Sequence, residues 1–511
     1  MANAFRLQCQ TVNSYITRNY KFVSYPSTRT IVEFVWRLGP GAWPWLADMD
    51  QAYRRVHIKS QFWRYLGFRW YNRAYAMTCL PFGLASSCQI YTRFATAIRI
   101  LAMGLYPELF YIFGLVSIYN YLDDFIGGAS SEKLAIKQFE KFLEHITWLG
   151  VPTQPRKCQP PSQLQQILGF LYNTLTQMMS IPEDKAAVIT LSILDLLRAY
   201  HAHTPISRRA LTRVVGRLMW ASQVCFPSRA FLRRLEALAD LPMDWDVPCL
   251  TLEAIHASDL AWWLDIVNSA HNGISFDFML RPRDAGDIHV WTDASGSHQL
   301  GFGGYCSLNR FFQITWAQLN IPAATRQDIQ YQELLAICTA AETWVRLFPN
   351  RSITFWCDNY GVCRMLFKGS TMFERPDLMA LIRRFCKLAF IHRFYFWMNW
   401  LATADNQEAD NLSRCVDHPF ARLETATPPY SKGVAPYMAL NPPSVTPTQW
   451  SDDSKSALGN ACNLASLPLE PVNRSRQRAH NYPQSAYLFA KTPYWRRGKK
   501  HYRRWKNSPA K

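Results

Sequence analysis

The stretch that decides the fold of the first part of the chain is Ile118-Tyr119-Asn120-Tyr121-Leu122-Asp123-Asp124-Phe125. Its aromatic and apolar residues predict a strand that ends at two adjacent aspartates. Upstream, Trp45-Leu46-Ala47-Asp48-Met49-Asp50-Gln51-Ala52-Tyr53 places another aspartate at the end of a predicted strand. Carboxylates among apolar residues are costly to bury unless a cation neutralises them. A hairpin that presents Asp123 and Asp124 beside Asp48 would gather three carboxylates.

Three gathered carboxylates offer the oxygen ligands that hard divalent ions take, and Mg²⁺ fits best where phosphates complete its shell. Two such ions, about 3.5–4 Å apart, can activate a 3′-hydroxyl and stabilise a leaving pyrophosphate in an in-line displacement. An acidic surface turn is the alternative interpretation of the aspartate pair taken alone.

Five segments in this part of the chain resemble, in the proper order, the motifs of reverse transcriptases. They are Asp48 with Ala52-Tyr53, the Leu-Pro-x-Gly-like Leu80-Pro81-Phe82-Gly83-Leu84-Ala85-Ser86-Ser87, the Tyr-x-Asp-Asp-like Tyr121-Leu122-Asp123-Asp124, the lysine motif at Lys157-Cys158, and a primer-grip-like Leu168-Gly169-Phe170. The details, including Gly39-Pro40-Gly41, look most like DIRS-type retrotransposons, which pair this enzyme with a tyrosine recombinase.

This resemblance implies a role for each matching residue. Asp48, Asp123 and Asp124 would be catalytic ligands of two Mg²⁺ ions, with Mn²⁺ as a substitute. Phe82 and Gly83 would support the template and the incoming nucleotide.

Two further residues keep an alternative beside the role that the resemblance implies. Tyr53 would lie under the sugar and exclude a 2′-hydroxyl, or it is an ordinary half-buried core residue. Lys157 would protonate the leaving pyrophosphate as a general acid, or it is an ordinary exposed lysine.

A second set of carboxylates occurs later in the chain, with different spacing. Asp293 and Asp358 end predicted strands, Glu333 opens a predicted helix, and Asp410 lies near another helix. Each alone is more often an ordinary surface residue. Together they resemble the Asp-Glu-Asp-Asp set of ribonuclease H, which implies that these four hold two Mg²⁺ ions and activate water against an RNA phosphodiester.

The chain departs from both families. The loop Leu401-Ala402-Thr403-Ala404-Asp405 lacks the histidine that related nucleases often carry there, which puts turnover in doubt but not the reaction. Only 47 residues precede Asp48, and Thr11-Val12-Asn13-Ser14-Tyr15 resembles the end of a fingers segment. We therefore expect partial fingers and a weakened or silent polymerase.

Composition divides the 511 residues into four regions. Residues 1–182 are predicted to form partial fingers and palm, and the stretch Ile167–Tyr172 within them a strand with a glycine bend. Residues 183–286 predict a helical thumb or connection, and residues 287–416 an α/β ribonuclease H-like domain. Residues 417–511 are rich in Pro and Ser and predict a disordered basic tail. The expected class is a multidomain protein of α/β and α+β type.

Charge and cysteine usage restrict the partners and the compartment. The formal net charge is +19, which favours polymers with many phosphates, because neutralised phosphates release counterions. A membrane surface would also attract this charge, so charge alone does not choose between the two. The 13 cysteines are scattered without zinc-ligand spacing and predict reduced thiols in a cytoplasmic or nuclear protein. No secretory signal is visible, and Leu101–Ile118, which contains Pro107 and Glu108, is a poor membrane span.

The tail segment from Tyr494 to Lys506 interleaves cations and aromatic residues. Single-stranded nucleic acid, nuclear import and simple solubility each account for this composition.

The combined interpretation is an RNA-directed DNA polymerase with ribonuclease H activity, from a retrotransposon-like element. Its expected partners are an RNA template, a DNA primer, an RNA–DNA hybrid and deoxynucleoside triphosphates, with no membrane. The alternatives are a catalytically silent or truncated relic that binds nucleic acid, and a ribonuclease H alone.

Overall fold

A computed structural model of the chain describes residues 11–112, 115–269, 272–296, 300–319, 328–371, 375–414 and 424–425. The predicted basic tail lies outside these residues, apart from a two-residue strand at 424–425. The expected mixed α/β, multidomain class is confirmed. Two compact units are present: one runs to Pro182 and includes Gly273–Leu280, and the other contains Glu183–Asn272 and the chain from Arg281 onward.

The first unit contains strands and helices in a mixed order. Its strands are β1 (Trp43–Asp48), β2 (Gly67–Trp70), β3 (Arg73–Ala76), β4 (Tyr111–Ile112), β5 (Leu115–Val116), β6 (Ile118–Tyr121), β7 (Asp124–Ala129), β8 (Leu164–Ile167), β9 (Phe170–Asn173), β10 (Met178–Ser180) and, later in the chain, β13 (Gly273–Ser275). Its helices are α1 (Val12–Tyr15), α2 (Thr28–Arg37), α3 (Ser87–Leu105), α4 (Pro107–Phe110), α5 (Glu132–Trp148) and, later, α10 (Phe276–Leu280).

The central sheet of the first unit has the strand order β1-β7-β6, all antiparallel. Trp45 of β1 is fully buried, and its indole N–H donates to the Gln138 side chain of α5 at 3.2 Å. The neighbouring strand makes room for this ring with Gly127, where an added Cβ would lie 2.1 Å from the Trp45 ring. Burial of large aromatic rings between sheet and helices holds this unit together and fixes the register of β1 against β7.

Residues 167–172 form a hairpin and not the bent single strand that the sequence predicts. Strands β8 and β9 pair antiparallel, and Leu168 and Gly169 form the two-residue turn between them. Both turn residues have positive φ, 48° and 89°, as a type I′ hairpin turn requires. The prediction was wrong because leucine rarely adopts this conformation, so the sequence shows only half of the turn signal.

The second unit begins with helices and continues with a sheet. Its helices are α6 (Glu183–His201), α7 (Arg208–Ala221), α8 (Arg233–Ala239), α9 (Ala254–Asn268), α11 (Ile329–Trp344), α12 (Tyr360–Lys368), α13 (Pro376–Ile391) and α14 (Gln407–Ser413). Its strands are β11 (Ile206–Ser207), β12 (Pro248–Leu250), β14 (Ile288–Ala294), β15 (Gly301–Cys306), β16 (Arg310–Thr315), β17 (Ser352–Cys357), β18 (Tyr395–Trp400) and β19 (Glu424–Thr425).

Six of these strands form one sheet with the order β18-β17-β14-β15-β16-β19. Strands β14, β15 and β16 are antiparallel neighbours, whereas β17 and β18 run parallel to β14. Helix α11 is buried along most of its length and contacts β14 and β15. Parallel pairing of β14 and β17 brings their carboxyl ends to the same edge of the sheet, where two predicted site residues lie.

The segment predicted as one helical region, residues 183–286, is divided between the two units. Residues 273–275 form an antiparallel edge strand on β10, which satisfies their backbone groups in the first unit. Helices α6 to α9 belong to the second unit, where Asp259 of α9 is buried between Arg234 (3.4 Å) and Arg383 of α13 (3.7 Å). Burial raises the pKa of Asp259 to about 6, against the attraction of both arginines.

Among the described residues, no helix is both long enough and apolar enough to cross a membrane. The stretch Leu101–Ile118, considered above as a poor span, instead contains the end of α3, the short helix α4 and parts of three strands.

Candidate active sites

The first candidate site lies where β1 and β7 meet. Asp48 is the last residue of β1, and it pairs directly with Asp124, the first residue of β7. Asp123 precedes Asp124 in the turn between β6 and β7. The structure therefore brings together the three aspartates that the sequence predicts.

The turn that carries Asp123 is tight and unusual. Tyr121 pairs with Asp124, which leaves only Leu122 and Asp123 to reverse the chain. Leu122 has a φ of 50°, a conformation that costs a non-glycine residue about 1–3 kcal/mol. Its side chain packs against the core cluster, and the Met49 N–H donates to the Asp123 carbonyl at 3.1 Å. Packing and this hydrogen bond hold the turn, so Asp123 is fixed beside β1.

Burial and mutual repulsion make this cluster electrostatically unfavourable without a cation. Asp48 is only 5% exposed. Burial raises the pKa of Asp123, and repulsion from Asp48 adds to it. Burial, followed by repulsion from Asp123 and Asp48, raises the pKa of Asp124 to about 7. The cluster therefore offers the oxygen ligands and the negative charge that hard divalent ions bind.

Lys157 supplies part of the missing positive charge. Its Nζ lies 3.2 Å and 3.4 Å from the two carboxylate oxygens of Asp48. Partial burial disfavours the ammonium, but the hydrogen bond to Asp48 and the attraction of the three aspartates outweigh it and raise the Lys157 pKa. Within the described part of the chain, the one cation paired with these three carboxylates is Lys157, so the cluster carries an excess of negative charge.

Tyr53 and Phe82 contact each other near the aspartates, and Asp123 influences the Tyr53 hydroxyl electrostatically. Their ring centroids are 5.3 Å apart, and Tyr53 also contacts the edge of Tyr91 at 5.5 Å. The Tyr53 hydroxyl lies 2.9 Å from the Cys88 sulfur, and burial together with this contact raises the pKa of Tyr53 above its usual value. Tyr53 is therefore an un-ionised, positioned ring, half-buried against the core.

Asn13 is a residue of this site that sequence reasoning did not single out. Its side-chain amide donates to the Gly83 carbonyl at 2.8 Å, and its side-chain oxygen accepts from the Ala85 N–H at 2.8 Å. The Asn13 side chain thus donates to one backbone group of the Leu-Pro-Phe-Gly loop and accepts from another, which holds the loop in place. Its sequence signal is only its position in the fingers-like stretch, since the contact spans 70 residues.

The second candidate site lies at one edge of the six-stranded sheet. Asp293 is near the end of β14, and Asp358 follows the parallel neighbour β17. Glu333 of α11 is 3% exposed and accepts a hydrogen bond from the Ala294 N–H at 3.3 Å. Asp410 lies on α14, which packs on the other side of the strands.

Helix α14 reaches Asp293 because the adjacent strand has no side chain in the way. Gly303 of β15 pairs with Asp293, and an added Cβ there would lie 2.6 Å from the Leu412 Cβ. The entry to α14 is fixed by Asn406, whose side-chain amide donates to the Thr292 carbonyl at 3.0 Å. Close helix–strand approach at Gly303 therefore positions Asp410 at the cluster.

Burial and repulsion within this cluster raise the pKa of Asp293 and Glu333. Burial raises the pKa of Asp293 to about 6, with repulsion from Asp358 and Asp410 adding to the effect. Burial and repulsion from Asp293 and Asp358 raise the pKa of Glu333 well above its usual value. Arg414 pairs with Asp410 at 2.9 Å but is mostly exposed. This cluster, like the first, has more carboxylates than cations.

Two neighbours of this cluster were absent from the sequence prediction. Cys357 is fully buried, its sulfur lies 3.7 Å from a Glu333 oxygen, and ligand atoms of Glu333, Cys357 and Asp358 all lie within 4.8 Å of one another. Thr403 donates its hydroxyl hydrogen to Asp358 at 2.8 Å. The loop that lacks a histidine therefore still contacts the cluster, through a neutral hydroxyl.

Removing one charge from the first cluster should stabilise the metal-free protein. In a chelator, Asp124→Asn relieves repulsion without changing side-chain size, so we expect the free energy of unfolding to rise by about 0.5–2 kcal/mol. Mg²⁺ should then stabilise the wild type more than the variant, because it binds the folded state through the lost carboxylate. Thermal unfolding with and without Mg²⁺ measures both effects.

The matched control is Asp50→Asn, since Asp50 is paired with Arg55 at 3.0 Å outside the cluster. It should gain no stability in chelator. A lower unfolding midpoint for metal-free Asp124→Asn than for wild type would show that the aspartates do not repel one another.

No protein-family model and no curated protein matches the chain. Solved structures of a foamy viral protease-reverse transcriptase are similar to it at 14% identity. The dRH form in complex with double-stranded DNA has a TM-score of 0.39 over 74% of this chain and 60% of that one. The complex with an RNA/DNA hybrid has 0.38 over 70% and 44%, and a further complex with double-stranded DNA has 0.36 over 71% and 68%. The chain thus spans less than two thirds of the length of the first two.

Proposed function

We propose that the chain is an RNA-directed DNA polymerase with ribonuclease H activity, from a retrotransposon-like element of DIRS type. The observation that carries the polymerase proposal is the buried pair Asp48–Asp124 across β1 and β7, with Asp123 held in the adjoining turn. Because these carboxylates repel one another, a bound cation would stabilise the cluster. The resemblance of this segment to the Tyr-x-Asp-Asp box supports a catalytic role for such a cation.

The donors of both clusters fit Mg²⁺ or Mn²⁺. Asp48, Asp123 and Asp124 offer only oxygen atoms, and burial and mutual repulsion raise the pKa of Asp123 and Asp124. When bound, the ions would activate the attacking oxygen and stabilise charge on the leaving group. The chain's own residues then position the substrates and move protons.

Lys157 and Tyr53 have the clearest roles among these residues. The Lys157 ammonium keeps its proton, held by Asp48, and can donate it to the leaving pyrophosphate as a general acid. The Tyr53 ring, fixed by Cys88 and Tyr91, would lie under the deoxyribose and leave no space for a 2′-hydroxyl. Phe82 and Gly83 would support the base from the loop that Asn13 clamps.

The second cluster would hydrolyse the RNA strand of an RNA–DNA hybrid. One edge of the sheet carries more negative than positive charge. The carboxylates at this edge are Asp293, Glu333, Asp358 and Asp410. A water molecule at that edge would be activated for attack on a phosphodiester when the ions are bound. Thr403 would orient Asp358 through its hydroxyl, from the loop in which related nucleases often carry a histidine.

The two activities should be separable by isosteric substitutions. Asp123→Asn should abolish Mg²⁺-dependent primer extension on an RNA template and leave cleavage of a labelled RNA–DNA hybrid intact; Asp358→Asn should do the reverse. Loss of a group that only orients a metal ligand costs about 10–100-fold, so we expect losses of at least about 100-fold here. Each variant is the other's control for folding and hybrid binding.

Normal extension by Asp123→Asn would remove the polymerase assignment. Hybrid cleavage without extension by the wild type would identify a nuclease alone. Binding without either reaction would identify a silent nucleic-acid-binding protein.

The role of Tyr53 can be tested by sugar selection. Tyr53→Ala removes bulk under the ribose, so incorporation of ribonucleotides relative to deoxyribonucleotides should rise by about tenfold or more, a difference of about 1.4 kcal/mol. Tyr53→Phe retains the ring and loses only the contact with Cys88, so its selectivity should resemble wild type. Unchanged selectivity in an active Tyr53→Ala protein would identify Tyr53 as a core residue only.

A further inference from the structure

The hairpin of β2 and β3 carries a face of aromatic side chains that is exposed to solvent. Phe68 pairs with Tyr75, and Trp70 pairs with Arg73. Because side chains alternate along strands, these four share one face of the hairpin. The opposite face carries Gly67, Arg69, Ala74 and Ala76. One face is therefore aromatic and the other nearly bare.

The aromatic rings of this face are open to solvent. Phe68 is 46% exposed, Tyr75 44% and Trp70 62%. The rings of Phe68 and Tyr75 stack at 5.5 Å with 22° between their planes. The turn is tight, since Tyr71 and Asn72 both have positive φ, as a type I′ turn requires. The two-stranded ribbon therefore presents rings side by side, and contiguous exposed apolar surface of this kind marks interaction sites.

The charged side chains of the segment that contains the hairpin are all positive. Residues 51–107 contain eight lysines and arginines and no aspartate or glutamate. Arg69 and Arg73 of the hairpin have no carboxylate partner among the described residues. The Arg73 guanidinium, on the same face as the exposed rings, is complementary to a polyanion that also carries aromatic bases.

The hairpin is a direct extension of the first candidate site. Below it, the Ile58 N–H donates to the Thr78 carbonyl at 2.9 Å, and the Leu80 N–H donates to the Val56 carbonyl at 3.0 Å. These bonds form a stem whose two chains lead back to Tyr53 and Phe82, and those rings contact each other. The hairpin that would bind a strand and the residues Tyr53 and Phe82 of the first candidate site are therefore joined by one hydrogen-bonded stem.

We propose that the aromatic face of this hairpin binds single-stranded nucleic acid. Bases stack on Phe68, Trp70 and Tyr75, and phosphates contact Arg73, which lies on the same face. A single strand is favoured over a duplex because the bases of a duplex already stack on each other and offer no free face to these rings. The binding requires neither cluster of carboxylates, so it stands apart from the proposed catalytic chemistry.

The test measures binding of labelled oligo(U) and oligo(dT) strands of about 20 nucleotides, long enough to span one site, to the full chain in EDTA without nucleotides. Trp70→Ala should weaken both single strands about tenfold, the loss expected for one base–aromatic stack. Binding of a blunt DNA duplex should change much less. Arg73→Gln should lower the slope of log K against log salt by about 0.7, whereas Arg69→Gln, on the opposite face, should change the slope less.

Trp148→Ala is the matched control, because Trp148 is also an exposed tryptophan of the first unit, 74% exposed at the end of α5. Lys133→Gln is the matched control for charge, because Lys133 is an exposed cation of the same unit, on α5. Equal loss of single-strand binding in Trp148→Ala, or no loss in Trp70→Ala, would overturn the proposal. So would a loss of binding to phosphatidylserine vesicles, with oligonucleotide binding unchanged, in Trp70→Ala. Because the assay contains no metal, failure of primer extension and failure of this proposal give separate results.

Discussion

Like charges held close together in a protein interior are the constraint on which the rest of this structure depends. In the first unit, Asp48 and Asp124 face each other across one strand pair, and Asp123 is fixed beside them. In the second unit, Asp293 and Glu333 are almost fully buried together. Each carboxylate would be better solvated apart from the others. The fold keeps them together because the strands that carry them are fixed by large buried cores.

The two units solve this problem with different architecture. The first uses an antiparallel register, a strained turn at Leu122 and a buried Trp45 to hold its strands in place. The second uses the parallel ends of β14 and β17 and the missing side chain at Gly303. In both, the nearest cations, Lys157 and Arg414, are mostly exposed and compensate only part of the charge. The remaining charge is left for the divalent ions that we propose bind at these clusters.

The sequence predicts the parts of this arrangement that are local. Paired aspartates after apolar and aromatic residues were enough to place a hairpin at Asp123, and helical spacing was enough to place Glu333 on a helix. Long-range pairing was not predictable: β13 joins β10 across more than 90 residues, and Asn13 clamps Gly83 across 70. A turn with a leucine at positive φ, as at Leu168, shows only its glycine as a signal in the sequence. Cys357 and Thr403 belong to the second cluster only through tertiary contacts.

Cation binding by both clusters is the central claim, and electron paramagnetic resonance of Mn²⁺ tests it directly, because bound Mn²⁺ disappears from the signal of the free ion. The full chain should bind Mn²⁺ in two groups of sites, one removed by Asp124→Asn and the other by Glu333→Gln. The double variant should bind almost none. Equal Mn²⁺ binding by the wild type and the double variant would contradict the account, because the buried carboxylates would then be no metal site at all.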